Sequence, residues 1–156
     1  MKKVLIALDY DQSAHKVARA GYKLAETMKA EVVLLHVTAD PLYYASVEPY
    51  LMPGFEDSYT MEPLIFETME ALKQSSQEFL DKTKRFLGDE TIGTLVKEGD
   101  LADSILLAAK EMHADVIVLG SHSRRWLENI VMGSVTEKVL HHTSIPLFIV
   151  PIKKHD

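Results

Sequence analysis

Five short apolar runs, separated by longer stretches with helical spacing, constrain the fold of this chain most strongly. The runs are rich in β-branched residues and leucine, which is typical of buried strands. They lie at residues 4–8, 32–37, 91–96, 116–119 and 147–150. Parallel strands need long crossover connections, and right-handed crossovers place helices on both faces of a sheet. The pattern therefore predicts an α/β fold, a doubly wound five-stranded parallel sheet sandwiched by about four helices.

The first two long connecting stretches have helical patterns. Residues 14–28 carry an apolar stripe at three- and four-residue spacing, with Asp11 and Ser13 as candidate caps. Residues from about 62 to 87 form a longer helical stretch, and Gly88 is a plausible stop. Both stretches are predicted to cover the sheet.

A third amphipathic stretch covers residues 101–112, and either Asp100 or Asp103 lies near its start. Residues 38–60 differ, because their three prolines and four tyrosines follow no period. We expect this segment to be a long loop and a candidate lid.

Composition restricts the classes of function. The chain of 156 residues is long enough for one domain, 1–156, with a buried core. A net charge of -6 disfavours general binding to nucleic acid or to anionic membranes, so any anion site must be local. The absence of cysteine excludes disulfides, thiolate chemistry and cysteine-ligated metals. No run approaches the roughly 20 apolar residues of a membrane span, so we expect a cytoplasmic protein without membrane insertion.

The fourth apolar run leads directly into a loop bounded by Gly120 and Gly133. A glycine at a strand exit lets the backbone approach a ligand closely. At the far end, Gly133 and Ser134 precede a helical stretch, where free amides and a hydroxyl can meet an anion. The arrangement is typical of a phosphate-binding loop. The alternative is a simple turn that links a strand to a helix.

This loop resembles that of the universal stress protein family, whose nucleotide-binding members carry Gly, two residues, Gly, nine residues, then Gly followed by Ser or Thr. Gly120 occupies the first position, and Gly133-Ser134 the last, with residues 124–132 supplying the nine. Ser123 replaces the second glycine. Serine keeps the amide and adds a hydroxyl if its φ is negative, but it weakens binding if the position needs positive φ or the closest phosphate approach.

The resemblance covers nearly the whole chain. It includes the first apolar run up to Asp9, the His36-Val37 strand exit, the segment 96–102 and the closing segment 144–150. It implies the adenine nucleotide alpha hydrolase-like fold and a homodimer paired through the last strand. It also implies binding of ATP or AMP, with Mg²⁺ or Mn²⁺ as candidate accompanying ions, and an unidentified regulatory protein as partner.

The resemblance also implies which residues form the site. The end of the first strand and the backbone of the second are expected to meet ribose and adenine, through Ala7, Leu8, Asp9 and Val37. The loop and the following helix are expected to meet the phosphates, through Gly120, Ser121, His122, Ser123, Arg124, Gly133, Ser134, Val135 and Thr136.

Several of these residues have ordinary structural explanations. Asp9 can form a turn, Val37 can be a plain buried strand residue, and Arg124 can lie on a solvated surface. Adjacent residues His141 and His142 point about 100° apart on a helix, so contacts with the last carbonyls explain them better than a metal does.

No catalytic set is evident in the sequence, because Ser134 has no base committed to it. We therefore expect at most slow ATP hydrolysis. The main alternative to a nucleotide-binding switch is a dimeric interaction or stress-protective protein that binds no nucleotide.

Overall fold

The computed structural model describes residues 1–10, 12–38, 61–121 and 133–152. Its strands are β1 (Lys3–Ala7), β2 (Glu31–Thr38), β3 (Gly93–Glu98), β4 (Val116–Gly120) and β5 (Leu147–Val150). Its helices are α1 (Ala14–Met28), α2 (Met61–Leu87), α3 (Leu101–Glu111) and α4 (Ser134–His142). The five strands run parallel in one sheet, in the order β3-β2-β1-β4-β5. The prediction of a doubly wound, five-stranded α/β fold is confirmed.

Side chains of the central strand alternate between the two faces of the sheet, as strand geometry requires. Ile6 belongs to a buried cluster with Leu80 and other residues of α1 and α2. Leu5 belongs to a second buried cluster, with Ile105 and other residues of α3 and α4. Because helices cover both faces, the strands appear in the sequence as continuous apolar runs.

The third strand begins later than the apolar pattern predicts. We expected residues 91–96, whereas β3 spans Gly93–Glu98. The Asp89 carboxylate accepts hydrogen bonds from the backbone N–H of Thr91 at 2.9 Å and from its hydroxyl at 2.6 Å. These bonds hold Thr91 in a turn, so pairing with β2 starts only at Gly93, opposite Val33. The other four strands agree with the prediction to within one residue at each end.

The described helix ends agree with the start and stop signals in the sequence. Ser13 occupies the N-cap position of α1 but its side chain makes no capping hydrogen bond, whereas Asp100 caps α3 by accepting a hydrogen bond from the N–H of Asp103. Gly88 follows α2 with a φ of +73°, a left-handed conformation that favours glycine. Local signals therefore determine the start of α3 and the end of α2.

Some expectations fall on other parts of the chain. Asp11, the second candidate cap of α1, lies outside the described residues, as does the candidate lid apart from Thr38, which ends β2. In the four described ranges, no helix combines the length and the apolar character needed to cross a membrane.

Gly21 lets α1 lie unusually close to the sheet. A Cβ atom at this position would stand 2.7 Å from Cδ1 and 2.9 Å from Cγ1 of Ile6, and 3.1 Å from Cγ1 of Val118. Ile6 and Val118 lie on neighbouring strands at the centre of the sheet and are fully buried. The absence of a side chain at Gly21 therefore sets the spacing between α1 and β1.

We predict that Gly21→Ala lowers the free energy of unfolding by about 1–3 kcal/mol, because the added methyl group overpacks the core. This loss outweighs the gain of about 1 kcal/mol that alanine brings as a better helix former. Urea denaturation measures the change. Ile6→Val removes Cδ1, the nearest atom, and should cost less in the Gly21→Ala background than in the wild type. Additive effects of the two substitutions would contradict this contact.

Candidate functional site

A pocket opens at the carboxyl ends of β1, β2 and β4. It lies where the strand order reverses, since β1 pairs with β2 on one side and with β4 on the other. Crevices at this position are the usual ligand sites of open α/β sheets. The residues that line the pocket are Ala7, Leu8, Asp9, Ser13, Ala14, Val17, Leu35, Val37, Leu101, Ile105, Leu119, Gly120, Val135 and Thr136.

Most of the lining is apolar, and the polar groups are few. Val37, Ile105 and Leu119 are buried residues of β2, α3 and β4 that border the pocket. Asp9 and Ser13 contribute a carboxylate and a hydroxyl from the segment between β1 and α1. An apolar pocket with a few placed polar groups suits a flat, weakly polar ring attached to a polar substituent.

Asp9 lies two residues beyond the end of β1, and main-chain bonds determine its position. The N–H of Leu8 donates to the carbonyl of Leu35 at 2.9 Å, which extends strand pairing beyond β1. The N–H of Tyr10 donates to Oδ1 of Asp9 at 3.0 Å. These bonds place a carboxylate acceptor at the pocket.

The start of α4 is attached to the exit of β4. The hydroxyl of Thr136 donates to the carbonyl of Gly120 at 2.9 Å, and both residues line the pocket. The first amides of a helix have no acceptor inside it, so residues 134–136 present N–H groups at the helix start. The positive end of the helix dipole lies there as well. This end of the pocket suits an anion.

We expected the amides of both Gly133 and Ser134 to be available to a ligand, but the Gly133 amide is already hydrogen-bonded. The N–H of Gly133 donates to the carbonyl of Ser121 at 2.6 Å. Its φ of -71° is open to any residue, so the described backbone does not itself demand glycine here. In the described part of the chain, the amides that have no acceptor inside the helix begin one residue later, at Ser134.

Ser121 has a structural role that the sequence did not indicate. It is buried, its N–H donates to the carbonyl of Val150 at 2.9 Å, and its Oγ accepts from the N–H of Ile152 at 2.8 Å. These bonds attach the exit of β4 to the end of β5. No spacing signal marks a bond between residues so far apart in sequence.

The predicted site residues fall into three groups. Seven line the pocket together: Ala7, Leu8, Asp9, Val37, Gly120, Val135 and Thr136. Three lie close in sequence to lining residues without lining the pocket themselves: Ser121 and Ser134 are adjacent to Gly120 and Val135, and Gly133 precedes Ser134. The remaining three, His122, Ser123 and Arg124, lie outside the described residues. The effect of serine at position 123 stays a prediction.

Sequence reasoning missed the contribution of two helices to the pocket. The lining includes Ala14 and Val17 of α1 and Leu101 and Ile105 of α3, whose sequence pattern indicates only amphipathic helices. Each crossover helix begins at the carboxyl edge of the sheet, so its first turns lie beside the pocket. The predicted topology could therefore have identified them.

A metal site is not apparent in the part of the chain that the structure describes, where no three His, Cys, Asp or Glu side chains form a group that could hold an ion. His142 lies in the last turn of α4, and its Nδ1 is 2.8 Å from the carbonyl oxygen of Lys138. The helix-end explanation of His142 is confirmed.

A charge cluster joins the start of α3 to α4. Nζ of Lys138 lies 3.1 Å from Oδ2 of Asp100 and 3.4 Å from Oδ1 of Asp103. The pKa of Asp100 lies below its usual value. The largest cause is the hydrogen bond that its carboxylate accepts from the N–H of Asp103, and the second is the hydrogen bond from Lys138. The adjacent residue Leu101 lines the pocket, so this cluster helps to position the α3 side of the site.

We predict that Asp100→Asn lowers the free energy of unfolding at pH 7 by less than about 1 kcal/mol, because asparagine still caps the helix and the lost pair is exposed. The folded-state pKa of Asp100 is depressed, so its contribution is present above the unfolded-state pKa and is lost as pH falls through the folded-state value. Urea denaturation from pH 7 to below about pH 4 should show the two proteins converging.

Asp100→Ala is the matched comparison, since it removes the cap as well as the charge. It should cost about 1 kcal/mol more than Asp100→Asn at pH 7. A wild-type advantage over Asp100→Asn that does not shrink as the pH falls would contradict the electrostatic account.

Together, the sheet order and the edge pocket define a doubly wound α/β protein with a ligand crevice at its switch point. The sequence model of the Universal stress protein family matches residues 1–151. The chain belongs to the universal stress protein family.

Two curated relatives span nearly the same length. The chain is 26% identical over 166 residues to the stress response protein NhaX of Bacillus subtilis, covering 95% of this chain and 96% of the relative. It is 28% identical over 158 residues to the universal stress protein MJ0577 of Methanocaldococcus jannaschii, covering 97% and 96%.

Solved structures agree with the fold. The structure of MJ0577 superposes with a TM-score of 0.74 at 27% identity, over 98% of this chain and 97% of that one. A solved universal stress protein in complex with cAMP superposes with a TM-score of 0.58, over 96% of each chain. Its identity of 20% makes this second likeness evidence for the fold alone.

Proposed function

We propose that this protein binds an adenine nucleotide, ATP or AMP, in the pocket at the carboxyl edge and acts in the cytoplasm as a stress-response regulator. The observation that carries the proposal is the convergence of β1, β2, β4 and the start of α4 on one pocket. The pocket offers a separate environment for each chemical part of a nucleotide: an apolar wall, a carboxylate and a helix start.

The apolar wall and the carboxylate suit a nucleoside. Val37, Ile105 and Leu119 provide contact area for adenine, and backbone groups near Val37 can read the edge of the base. The Asp9 carboxylate can accept hydrogen bonds from ribose hydroxyls. A bond from a hydroxyl to a charged acceptor contributes about 1.5–3 kcal/mol, enough to distinguish ribose from deoxyribose.

The helix start suits the phosphates. The amides of residues 134–136 and the positive end of the α4 dipole favour an anion, and Val135 and Thr136 border the pocket. In our proposal the loop from Gly120 to Ser134 surrounds the phosphates, and Mg²⁺ or Mn²⁺ accompanies a triphosphate. Occupancy then changes the surface that a regulatory protein partner recognises, to the extent that ATP binds one conformation more tightly.

The first test is direct binding. We predict that heating the purified protein releases adenine nucleotide, identified by chromatography, and that ATP added to ligand-free protein gives a stoichiometric calorimetric titration. Asp9→Asn should weaken ATP by about tenfold to a hundredfold, as expected for the loss of a hydrogen bond to a charged group. Omitting the ribose 2′-hydroxyl should weaken wild-type binding but have little further effect on the variant.

Asp115→Asn is the matched control. Oδ2 of Asp115 also accepts a hydrogen bond from a backbone N–H, that of Lys3 at 2.8 Å, but Asp115 lies at the opposite edge of the sheet from the pocket. It should bind ATP like the wild type. Absence of released nucleotide and of ATP binding in the wild type would contradict the proposed function.

The proposal includes a homodimer paired through β5. This strand lies at the end of the sheet order, so its outer edge carries unpaired main-chain groups in the described structure. Phe148 on this strand is 38% exposed although it is a large aromatic residue. An apolar edge strand invites pairing with another chain, and a two-fold axis pairs such an edge with its own copy.

We predict that Phe148→Glu converts the dimer to a monomer, because two like charges would face each other at the strand pair. Sedimentation velocity at low micromolar concentration measures the change. Leu107→Glu is the matched control, since Leu107 is 52% exposed on α3, away from the strand edge. A monomeric wild type would contradict the dimer, and a dimeric Phe148→Glu protein would place the interface elsewhere.

A second candidate function is a dimeric interaction or stress-protective protein that binds no nucleotide. The replacement of the family's second loop glycine by Ser123 favours it, because a phosphate site that requires glycine would be weakened. Dimerisation without ATP or AMP binding would support this candidate.

A further inference from the structure

Three aromatic rings pack behind the proposed site, on the side where α2 covers the sheet. The rings of Tyr10 and Phe79 are tilted by 35° with centroids 4.5 Å apart. The His36 ring meets Tyr10 edge-on at 4.8 Å and Phe79 at 5.4 Å. We call Tyr10, His36 and Phe79 the ring cluster. It joins β2, α2 and the segment after β1.

Two polar bonds attach the ring cluster to α2. The hydroxyl of Tyr10 donates to the backbone carbonyl of Ser75. Nδ1 of His36 and Oγ of Ser76 share a hydrogen bond of 2.8 Å, and both residues are buried. Tyr10 itself is 48% exposed, so its ring and hydroxyl contacts, rather than burial, determine its position.

The ring cluster is directly connected to the pocket along the chain, because pocket residues are sequence neighbours of Tyr10 and His36. Asp9 lines the pocket, and the N–H of Tyr10 donates to its carboxylate at 3.0 Å. Val37 lines the pocket, whereas His36, the preceding residue of the same strand, points to the opposite face. A shift of α2 would therefore act on the pocket through Tyr10 and its neighbour Asp9, and through His36 and its two neighbours in β2, Leu35 and Val37, which both line the pocket.

We propose that Tyr10 is a positioning residue that couples occupation of the pocket to the placement of α2. The Tyr10 amide orients the Asp9 carboxylate, and its hydroxyl attaches the same residue to Ser75 on α2. Ligand bound at Asp9 stabilises this arrangement, and by thermodynamic reciprocity the attached α2 strengthens ligand binding. The inference rests on the proposed function, since it concerns the same pocket.

The Tyr10 hydroxyl remains a donor under ordinary conditions. Partial burial, together with the nearby Glu78 carboxylate, raises the pKa of Tyr10 above its usual value. The hydroxyl therefore keeps its proton at neutral pH, and the bond to the Ser75 carbonyl persists.

Tyr10→Phe isolates the hydroxyl, because it keeps the ring. We expect the variant to bind ATP about threefold to tenfold more weakly, the range that one ordinary hydrogen bond supports. Amide hydrogen exchange distinguishes coupling from a purely structural role, because a purely structural role would not change the effect of ATP on α2. ATP should slow exchange of α2 amides around residues 73–82 in the wild type but not in Tyr10→Phe.

Tyr22→Phe is the matched control. The Tyr22 hydroxyl joins α1 to the region after α2 by donating to Oδ2 of Asp89 at 2.9 Å, but Tyr22 lines a different pocket, together with Glu31 and Gly93 at the starts of β2 and β3. Tyr22→Phe should lose a similar amount of stability while keeping wild-type ATP affinity and wild-type protection of α2.

Phe79→Leu tests the coupling from the α2 side, and it changes no residue that lines the pocket. It should also weaken ATP binding and remove the protection. If the wild type binds ATP, and Tyr10→Phe and Phe79→Leu both keep the wild-type affinity and the wild-type protection of α2, the coupling is wrong while the proposed function stands. If the wild type binds neither ATP nor AMP, the proposed function and the coupling fail together.

Discussion

Burial of β1 on both faces is the constraint on which the rest of the structure depends. Val4, Leu5 and Ile6 are completely buried, and β1 pairs with β2 on one side and β4 on the other. A strand so placed must alternate its side chains between two helical layers, and it must lie at the centre of the sheet. The close approach of α1 at Gly21 follows from this arrangement. The carboxyl end of β1 then lies between helices that pack on opposite faces of the sheet, and the pocket lies there.

The chemistry of the pocket follows from that position. The helices that follow β1 and β4 in the chain pack on opposite faces of the sheet, so main-chain groups, an acidic residue and a helix start converge without long side chains reaching inward. The apolar wall is an extension of the core formed by α3 and the sheet. The proposed site is thus the unfilled end of a packed core, bordered by Asp9 and α4.

The sequence predicted what depends on local periodicity and local signals. The elements follow from the apolar periodicity, whereas the acidic start of α3, where Asp100 proves to be the cap, and the stop at Gly88 follow from signals within a few residues. The start of β3 was placed too early because the bonds from Thr91 to Asp89 compete with strand pairing. In the site, the order of elements predicted which strand ends meet. It could not predict that Thr136 bonds to Gly120 or that the Gly133 amide is already used, since these bonds depend on the angle between α4 and the sheet.

The bonds of Ser121 have a practical consequence for anyone who labels or fuses this protein. Ser121 follows β4 and holds the chain at Val150 through its main-chain N–H and at Ile152 through its side-chain hydroxyl. A dye, tag or fusion partner joined soon after Ile152 would pull on Ser121. A signal from such a probe would report loop rearrangement and strain from the attachment together. A probe at an exposed residue of α3, such as Lys110, avoids this mechanical link.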